Sequence, residues 1–167
     1  MDVSVMKNIF LCLPVLGALL SPVAANAKAD DSSVIFRPSI TNSAAFDLIQ
    51  KATETAKQKK LTLCFAVTDR TGNLVAFSRM DDAFPGCIDA AIFKAKSASR
   101  FARNTILFYD AVRKEHLGLG FIPGILPAVG GIALKKDGQL VGGLGVSGDN
   151  SDAAEEKAAE DAGALFH

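Results

Sequence analysis

Histidine is scarce in this sequence, and one of its two histidines stands where it could bind a metal. His116 and His167 are the whole set, so a catalytic zinc site or a non-haem iron triad built on several histidines is excluded. His116 opens a segment rich in apolar residues, glycine and proline that extends to Gly131. A lone imidazole suffices for axial ligation of a haem iron, so His116 is a candidate metal ligand. The alternative is an exposed histidine at a helix end, which the helix dipole favours.

Basic residues interleaved with phenylalanines could bind a carboxylate. Six such residues share one predicted helical region: Lys94, Lys96, Arg100, Arg103, Phe93 and Phe101. Residues three or four apart lie on one helix face, so Lys96, Arg100 and Arg103 could share an anion site. Cations beside an apolar face suit carboxylates, including the propionates of haem, and a solvated helix face is the alternative. Arg79 and Tyr109 are further candidates for ligand binding, with packing at the core edge as their alternative.

Two motifs near the end of the chain fail as signatures of catalysis or nucleotide binding. The string GLGVSG from Gly143 to Gly148 matches a dinucleotide-binding pattern, but only one predicted helix follows it, and acidic residues crowd the start of that helix. We therefore interpret these glycines as sites of close strand packing or of a tight turn. Ser147 lies in GVSGD, which lacks the GxSxG pattern of serine hydrolases.

The N-terminal 27 residues have the composition of a secretory signal peptide. Lys7 precedes an apolar run over residues 9–20, and the small residues Ala25 and Ala27 follow. The run is too short to span a bilayer, so a retained anchor is the less favoured alternative. We expect cleavage after Ala27, a mature domain over residues 28–167, and a periplasmic or secreted location.

Two cysteines remain after the expected cleavage. In an oxidising compartment a disulfide between Cys64 and Cys87 is chemically allowed, and two separate buried thiols are equally compatible with the sequence. Neither cysteine belongs to a CxxC pair, which disfavours redox chemistry and zinc binding.

The elements that must position these residues follow from apolar periodicity and turn residues. The predicted order is a helix ending at Lys59, strands over 61–67 and 74–80, helical stretches over 88–98 and 104–114, strands over 132–134 and 140–147, and a closing helix. Segment 116–131 is predicted to be an ordered loop. The closing helix is predicted to start at Asp152, with Glu155 three residues on as in a capping box. This order indicates an α+β single domain with an antiparallel sheet flanked by helices.

Composition and charge describe an ordinary globular domain. The chain has 167 residues, of which 49% are hydrophobic and 22% charged, as in typical soluble domains. Eighteen basic side chains balance eighteen acidic ones, so attraction to nucleic-acid phosphates is weak and nucleic acid is not an expected partner. A membrane is not an expected partner after signal cleavage either.

Four segments, in order along the chain, resemble the GlcG/HbpS-like family, which contains haem-degrading domains. They are AVTDRTGNLVAFSRMD (66–81), IFKAKSASRFARNT (92–105), PGILPAVGGIAL (123–134) and GQLVGGLGVSGDNSDAAEEKAAEDAG (138–163). The resemblance implies a profilin-like antiparallel sheet, assembly into homo-oligomers and, in secreted members, binding or handling of haem or iron. It carries over no axial ligand. Where relatives often have proline in a GGxP segment, this chain has alanine at 133, so the ligand pocket there is expected to differ.

The first function compatible with these residues is a secreted or periplasmic haem-binding protein. In that hypothesis basic residues bind the propionates, phenylalanines such as Phe101 stack near the macrocycle, and His116 or another donor approaches the iron. The predicted cofactor-binding set is His116, Arg79, Lys94, Arg100, Arg103, Phe101 and Tyr109.

Two further hypotheses belong to other classes. The chain could be a small-molecule enzyme or accessory protein acting on an organic acid, with Arg79, Lys94 or Arg100 binding the carboxylate and Asp69 or Asp81 as acid or base. It could also be a self-assembling module whose second hairpin and final helix pack against a partner subunit. The sequence does not decide whether the protein is an enzyme.

Overall fold

Four helices and four strands make up the part of the chain that the computed structural model describes, residues 33–149 and 151–167. The helices are α1 (Asn42–Gln58), α2 (Cys87–Phe101), α3 (Ile106–Lys114) and α4 (Asp152–Gly163), and a short 3-10 helix (Leu117–Phe121) follows α3. The strands are β1 (Cys64–Asp69), β2 (Leu74–Arg79), β3 (Gly131–Lys136) and β4 (Gln139–Ser147). The predicted signal peptide lies outside the described residues.

The strands form one antiparallel sheet in the order β2-β1-β4-β3. Each predicted hairpin is present, and the two hairpins join through β1 and β4, with Cys64 opposite Ser147 and Asp69 opposite Gly142. The predicted α+β fold with an antiparallel sheet is therefore confirmed.

One face of the sheet carries the large apolar side chains and packs against α1 and α4. Phe65 and Val67 of β1 and Leu144 and Val146 of β4 are buried there beside Leu48 of α1. Burying one such side chain contributes roughly 1.5–3 kcal/mol. This face therefore supplies the larger part of the hydrophobic stabilisation.

The opposite face of the sheet is made of small residues, which lets α2 lie directly on the backbone. A Cβ added to Gly145 would come within 1.9 Å of the Ala91 carbonyl oxygen, and one added to Gly143 would come within 2.2 Å of that of Ala95. The interpretation of these glycines as sites of close packing is confirmed. The consequence is that α2 has no room for a side chain between itself and β4 at these two positions.

The turn between α2 and α3 covers the outer edge of β3. The Gly131 N–H donates to Thr105 Oγ1 at 2.9 Å, and the Ala133 N–H donates to Asn104 Oδ1 at 2.9 Å. These side chains satisfy strand groups that would otherwise be open to pairing with another chain.

A disulfide joins β1 to the start of α2. Cys64 and Cys87 are bonded, with their Cα atoms 5.7 Å apart, and both are fully buried. Of the two states that the sequence allowed, the structure contains the bridge.

The start of β1 and the cap of α4 differ from the prediction for local reasons. β1 starts at Cys64 rather than Leu61, because the Leu61 N–H still donates to the Ala56 carbonyl at the end of α1. α4 starts at Asp152, as predicted, but its N-cap is Ser151, whose side chain accepts from the Ala154 N–H. The predicted capping box of Asp152 with Glu155 is therefore wrong, because the Glu155 carboxylate accepts from Lys94 and Gly148 instead. Throughout the ranges described above, no helix is both long enough and apolar enough to cross a membrane.

Candidate functional site

The structure distributes the predicted site residues over separate places. Lys94 is buried beneath α4, Tyr109 faces the start of α4, and Arg100 and Phe101 lie where α2 meets the segment after α3. His116 lies on the exposed surface between α3 and the 3-10 helix. They do not form a single pocket.

The Lys94 ammonium is the centre of a buried hydrogen-bond network. It donates to Glu155 Oε2 at 2.7 Å, to the Val146 carbonyl at 3.1 Å and to Ser147 Oγ at 3.2 Å. The other oxygen of Glu155 accepts from the Gly148 N–H at 2.9 Å. Every donor of the ammonium has an internal acceptor, so Lys94 connects α2, β4 and α4 and offers no free donor to a ligand. Its predicted role toward a carboxylate remains a prediction, and would require release of Glu155.

A second polar cluster lies beside this network, at the start of α4. The Tyr109 hydroxyl donates to Asp152 at 2.6 Å, accepts from Arg113, and lines the same pocket as Glu156. The hydrogen bond to Asp152 raises the pKa of Tyr109. Burial raises the pKa of Glu156, which accepts from the Gly130 N–H at 2.6 Å. With its hydroxyl engaged on both sides, Tyr109 is held in place as a neutral phenol.

Arg100 is held at one nitrogen and free at the others. Its Nε donates to the Thr71 carbonyl at 3.3 Å, and the side chain lies between Gly72 and Gly124. A Cβ added to Gly72 would come within 2.7 Å of Nε. The residue is exposed, and its terminal nitrogens have no partner among the residues that the structure describes.

Exposed apolar side chains lie on the same helix as this arginine and on the segment after α3. Phe93, on the outer face of α2, is 56% exposed and has the Lys96 ammonium 5.7 Å from its ring centroid. Phe121 and Ile122 follow along the segment that crosses α2, and Phe121 is 86% exposed. Phe101 packs edge-on against Phe108 and faces Gly124. We call this set the apolar–basic surface: Phe93, Lys96, Arg100, Phe101, Phe121 and Ile122.

The segment after α3 is fixed to α2, as its prediction as an ordered loop requires. The Leu126 N–H donates to Ser97 Oγ at 3.0 Å, and a Cβ added to Gly124 would come within 3.6 Å of the Phe101 ring. Gly124 has a φ of 92°, a backbone conformation that favours glycine. The loop is therefore held beside Phe101 and the last turns of α2, and Phe93 lies about two turns earlier on the same helix.

His116 is the last residue before the 3-10 helix and is exposed. It lines a shallow groove with Leu107, Asp110 and Glu115. Its imidazole makes no hydrogen bond within residues 33–149 and 151–167, so a metal could approach it without breaking an internal contact. Its role as a ligand remains a prediction.

The remaining predicted residues lie on the surface. Arg79 ends the edge strand β2, and Arg103 follows α2; both are exposed, and neither guanidinium has a hydrogen-bond partner in the described part of the chain. Asp69 accepts hydrogen bonds from Thr71 and Asn73. Burial raises the pKa of Asp69, but those hydrogen bonds outweigh burial and the net shift is downward. Asp69 is thus a turn-forming carboxylate and a poor general acid at neutral pH.

No group of three or more potential metal-binding side chains exists in the described ranges.

The role of Glu155 differs from its predicted one. Its position three residues after Asp152 fits a capping box, so the sequence assigns it to the helix start rather than to Lys94. Its actual partner, Lys94, is 61 residues away along the chain, and no local pattern could reveal that contact.

Comparison with known proteins identifies relatives over most of the domain. A family model described as "Haem degrading protein HbpS-like" matches residues 40–163. Protein GlcG of Escherichia coli (strain K12) is 31% identical over 100 residues, which is 60% of this chain and 75% of GlcG.

Solved structures also resemble the fold. A double mutant of HbpS from Streptomyces reticuli is similar with a TM-score of 0.75 and 29% identity, covering 87% of this chain and 99% of that one. A PduOC structure, solved as a complex with haem, is similar with a TM-score of 0.68 and 27% identity, covering 77% of this chain and 96% of that one.

Proposed function

The chain belongs to the HbpS-like family of haem-degrading proteins, and from that premise we propose that it binds haem on the apolar–basic surface. The observation that carries the proposal is the haem complex of PduOC, a similar fold at 27% identity. Haem needs apolar contacts for its ring and cations for its propionates. The apolar–basic surface offers both, with exposed phenylalanines beside Lys96 and the free end of Arg100.

We propose His116 as the axial ligand of the haem iron, which would accept one donor atom from the protein. The support is its exposed imidazole without an internal partner, next to the 3-10 helix that leads to Phe121. We further propose a periplasmic or secreted location, because the Cys64–Cys87 disulfide persists in oxidising compartments. Assembly into homo-oligomers is part of the same proposal.

Titration of the purified protein with hemin, followed by the Soret band, tests this function. We expect saturable binding of one haem per subunit. Phe93→Ala should weaken binding, whereas Phe46→Ala should not, because Phe46 is similarly exposed (52%) but lies on α1, across the sheet. His116→Ala should remove the spectrum of an imidazole-ligated iron, and His167→Ala is its control.

Different outcomes test the haem function, the location of the site and the role of His116. Absence of saturable binding would overturn the haem function. Equal weakening by Phe93→Ala and Phe46→Ala would overturn the location, and an unchanged spectrum in His116→Ala would remove His116 from the site.

The organic-acid function is the second candidate, and one observation favours it. Arg100 presents an unpaired guanidinium end at the surface, which suits a free carboxylate as well as a propionate. Thermal-shift screening against small carboxylates distinguishes this function if hemin does not bind.

A further inference from the structure

We infer that Arg100 forms a carboxylate-binding subsite, in which the end of its guanidinium binds one carboxylate through both terminal nitrogens. The inference deepens the haem proposal, since the carboxylate would then be a propionate. It also stands without haem, because a free organic acid presents the same group.

The first argument is orientation. Nε donates to the Thr71 carbonyl, which fixes the plane of the guanidinium while leaving the two Nη atoms free. Two parallel N–H donors in one plane match the two oxygens of a carboxylate, and that fork geometry is the strong form of this interaction. A lysine at this position could supply charge but no fork.

The second argument is the space made for the side chain. Gly72 and Gly124 both have a φ of 92° and both face Arg100, and a Cβ on Gly72 would come within 2.7 Å of Nε. Glycine at 72 therefore allows the arginine to lie against the turn between β1 and β2. The hydrogen bond to Thr71 and the space left by Gly72 together fix where the Arg100 side chain lies.

The third argument is the charge around the subsite. The nearest acidic side chain on the contacted turn is Asp69, whose oxygens accept from Thr71 and Asn73 within the turn. No ion pair in the described ranges involves Arg100 or Lys96. Lys96 is one helical turn before Arg100 and adds a positive charge to the same helix face, so a carboxylate bound at Arg100 meets no ion-paired competitor there.

The test compares Arg100→Gln, Arg100→Lys and a matched control, Arg70→Gln. Arg70 is a suitable control because its Nε also donates to a backbone carbonyl, that of Leu140, on the other side of the same turn. Three probes are titrated into each protein: hemin, the dimethyl ester of haem, whose propionates carry no charge, and succinate, which has carboxylates but no porphyrin.

For hemin we expect Arg100→Gln to weaken binding about tenfold, the loss typical of one hydrogen-bonded charged contact. The affinity of Arg100→Lys for hemin should lie between those of the wild type and Arg100→Gln, and the affinity of Arg70→Gln should match that of the wild type. Binding of the dimethyl ester should be the same in all four proteins. Succinate should raise the melting temperature of the wild type and of Arg70→Gln but not that of Arg100→Gln.

Two results would overturn the subsite. One is an equal effect of Arg100→Gln and Arg70→Gln on hemin and on succinate, and the other is an equal loss of affinity for hemin and for its ester. Failure of the haem function has a different signature, in which the wild type binds no hemin while succinate still distinguishes Arg100→Gln. Melting curves without ligand verify that each variant is folded.

Discussion

At the scale of single residues, the two adjacent glutamates of α4 have opposite energetic roles. Glu155 is buried and neutralises Lys94, whereas Glu156 is partly buried, accepts one N–H and lies near Glu155 and Glu160. A buried charge that loses its partner destabilises a protein strongly. A carboxylate that burial and like charges disfavour can be replaced by a neutral acceptor at little cost.

We predict that Glu155→Gln destabilises the protein by about 3 kcal/mol, the lower end of the range for breaking a buried pair. Glu156→Gln should leave the stability equal or higher at pH 7, because its amide oxygen can still accept from Gly130. Urea unfolding of both variants and the wild type measures the difference. A larger loss in Glu156→Gln than in Glu155→Gln would contradict the assignment of the two roles.

The raised pKa of Glu156 gives this comparison a pH dependence. Since the folded-state pKa lies above the unfolded-state pKa, the folded protein binds the proton more tightly, and the contribution of Glu156 to stability falls as the pH rises through that value. Any gain in the free energy of unfolding from Glu156→Gln should therefore be largest at neutral pH and should shrink on acidification. An advantage that grows as the pH falls would contradict the direction of the shift.

At the scale of elements, the sequence predicts local structure well and long-range pairing poorly. The helices, both hairpins and the ordered loop follow from apolar spacing and turn residues, which act within a few positions. The joining of β1 to β4 depends on contacts such as Cys64 with Ser147, and no local pattern encodes it. The basic residues predicted to share one helical region do not share one site, for the same reason. Lys94 faces inward to Glu155, whereas Arg100 faces outward.

The close packing of α2 on the sheet leads to a prediction for Gly145. Gly145→Ala places a methyl group 1.9 Å from the Ala91 carbonyl oxygen, so α2 must move away from β4, and overpacking of this kind costs about 3 kcal/mol or more. Gly118→Ala is the control, because a Cβ there meets nothing within 4 Å. Thermal unfolding should show a large loss for the first variant only, and equal melting temperatures would contradict the packing argument.

At the scale of the whole molecule, one covalent bond ties the sheet to the helix that presents the apolar–basic surface. The disulfide closes a loop with a sequence separation of 23 residues, running from β1 through β2 to α2. Closing a loop of this size stabilises a protein by about 3 kcal/mol in the chain-entropy account. Because α2 carries Phe93, Lys96 and Arg100, loosening its start is expected to affect ligand binding as well as stability.

We therefore predict that Cys64→Ala/Cys87→Ala unfolds at a lower urea concentration than the wild type, by an amount equivalent to about 3 kcal/mol. A reductant should lower the urea concentration at which the wild type unfolds to that of the variant, and should leave the variant's unchanged. This result separates loss of the bond from loss of the sulfur atoms. Protein recovered from the periplasm or the medium and unfolded in urea, which exposes both buried cysteines, should react with a thiol reagent only after reduction. Free thiols in that protein before reduction would contradict the bridge, since an oxidising environment maintains a buried disulfide through folding.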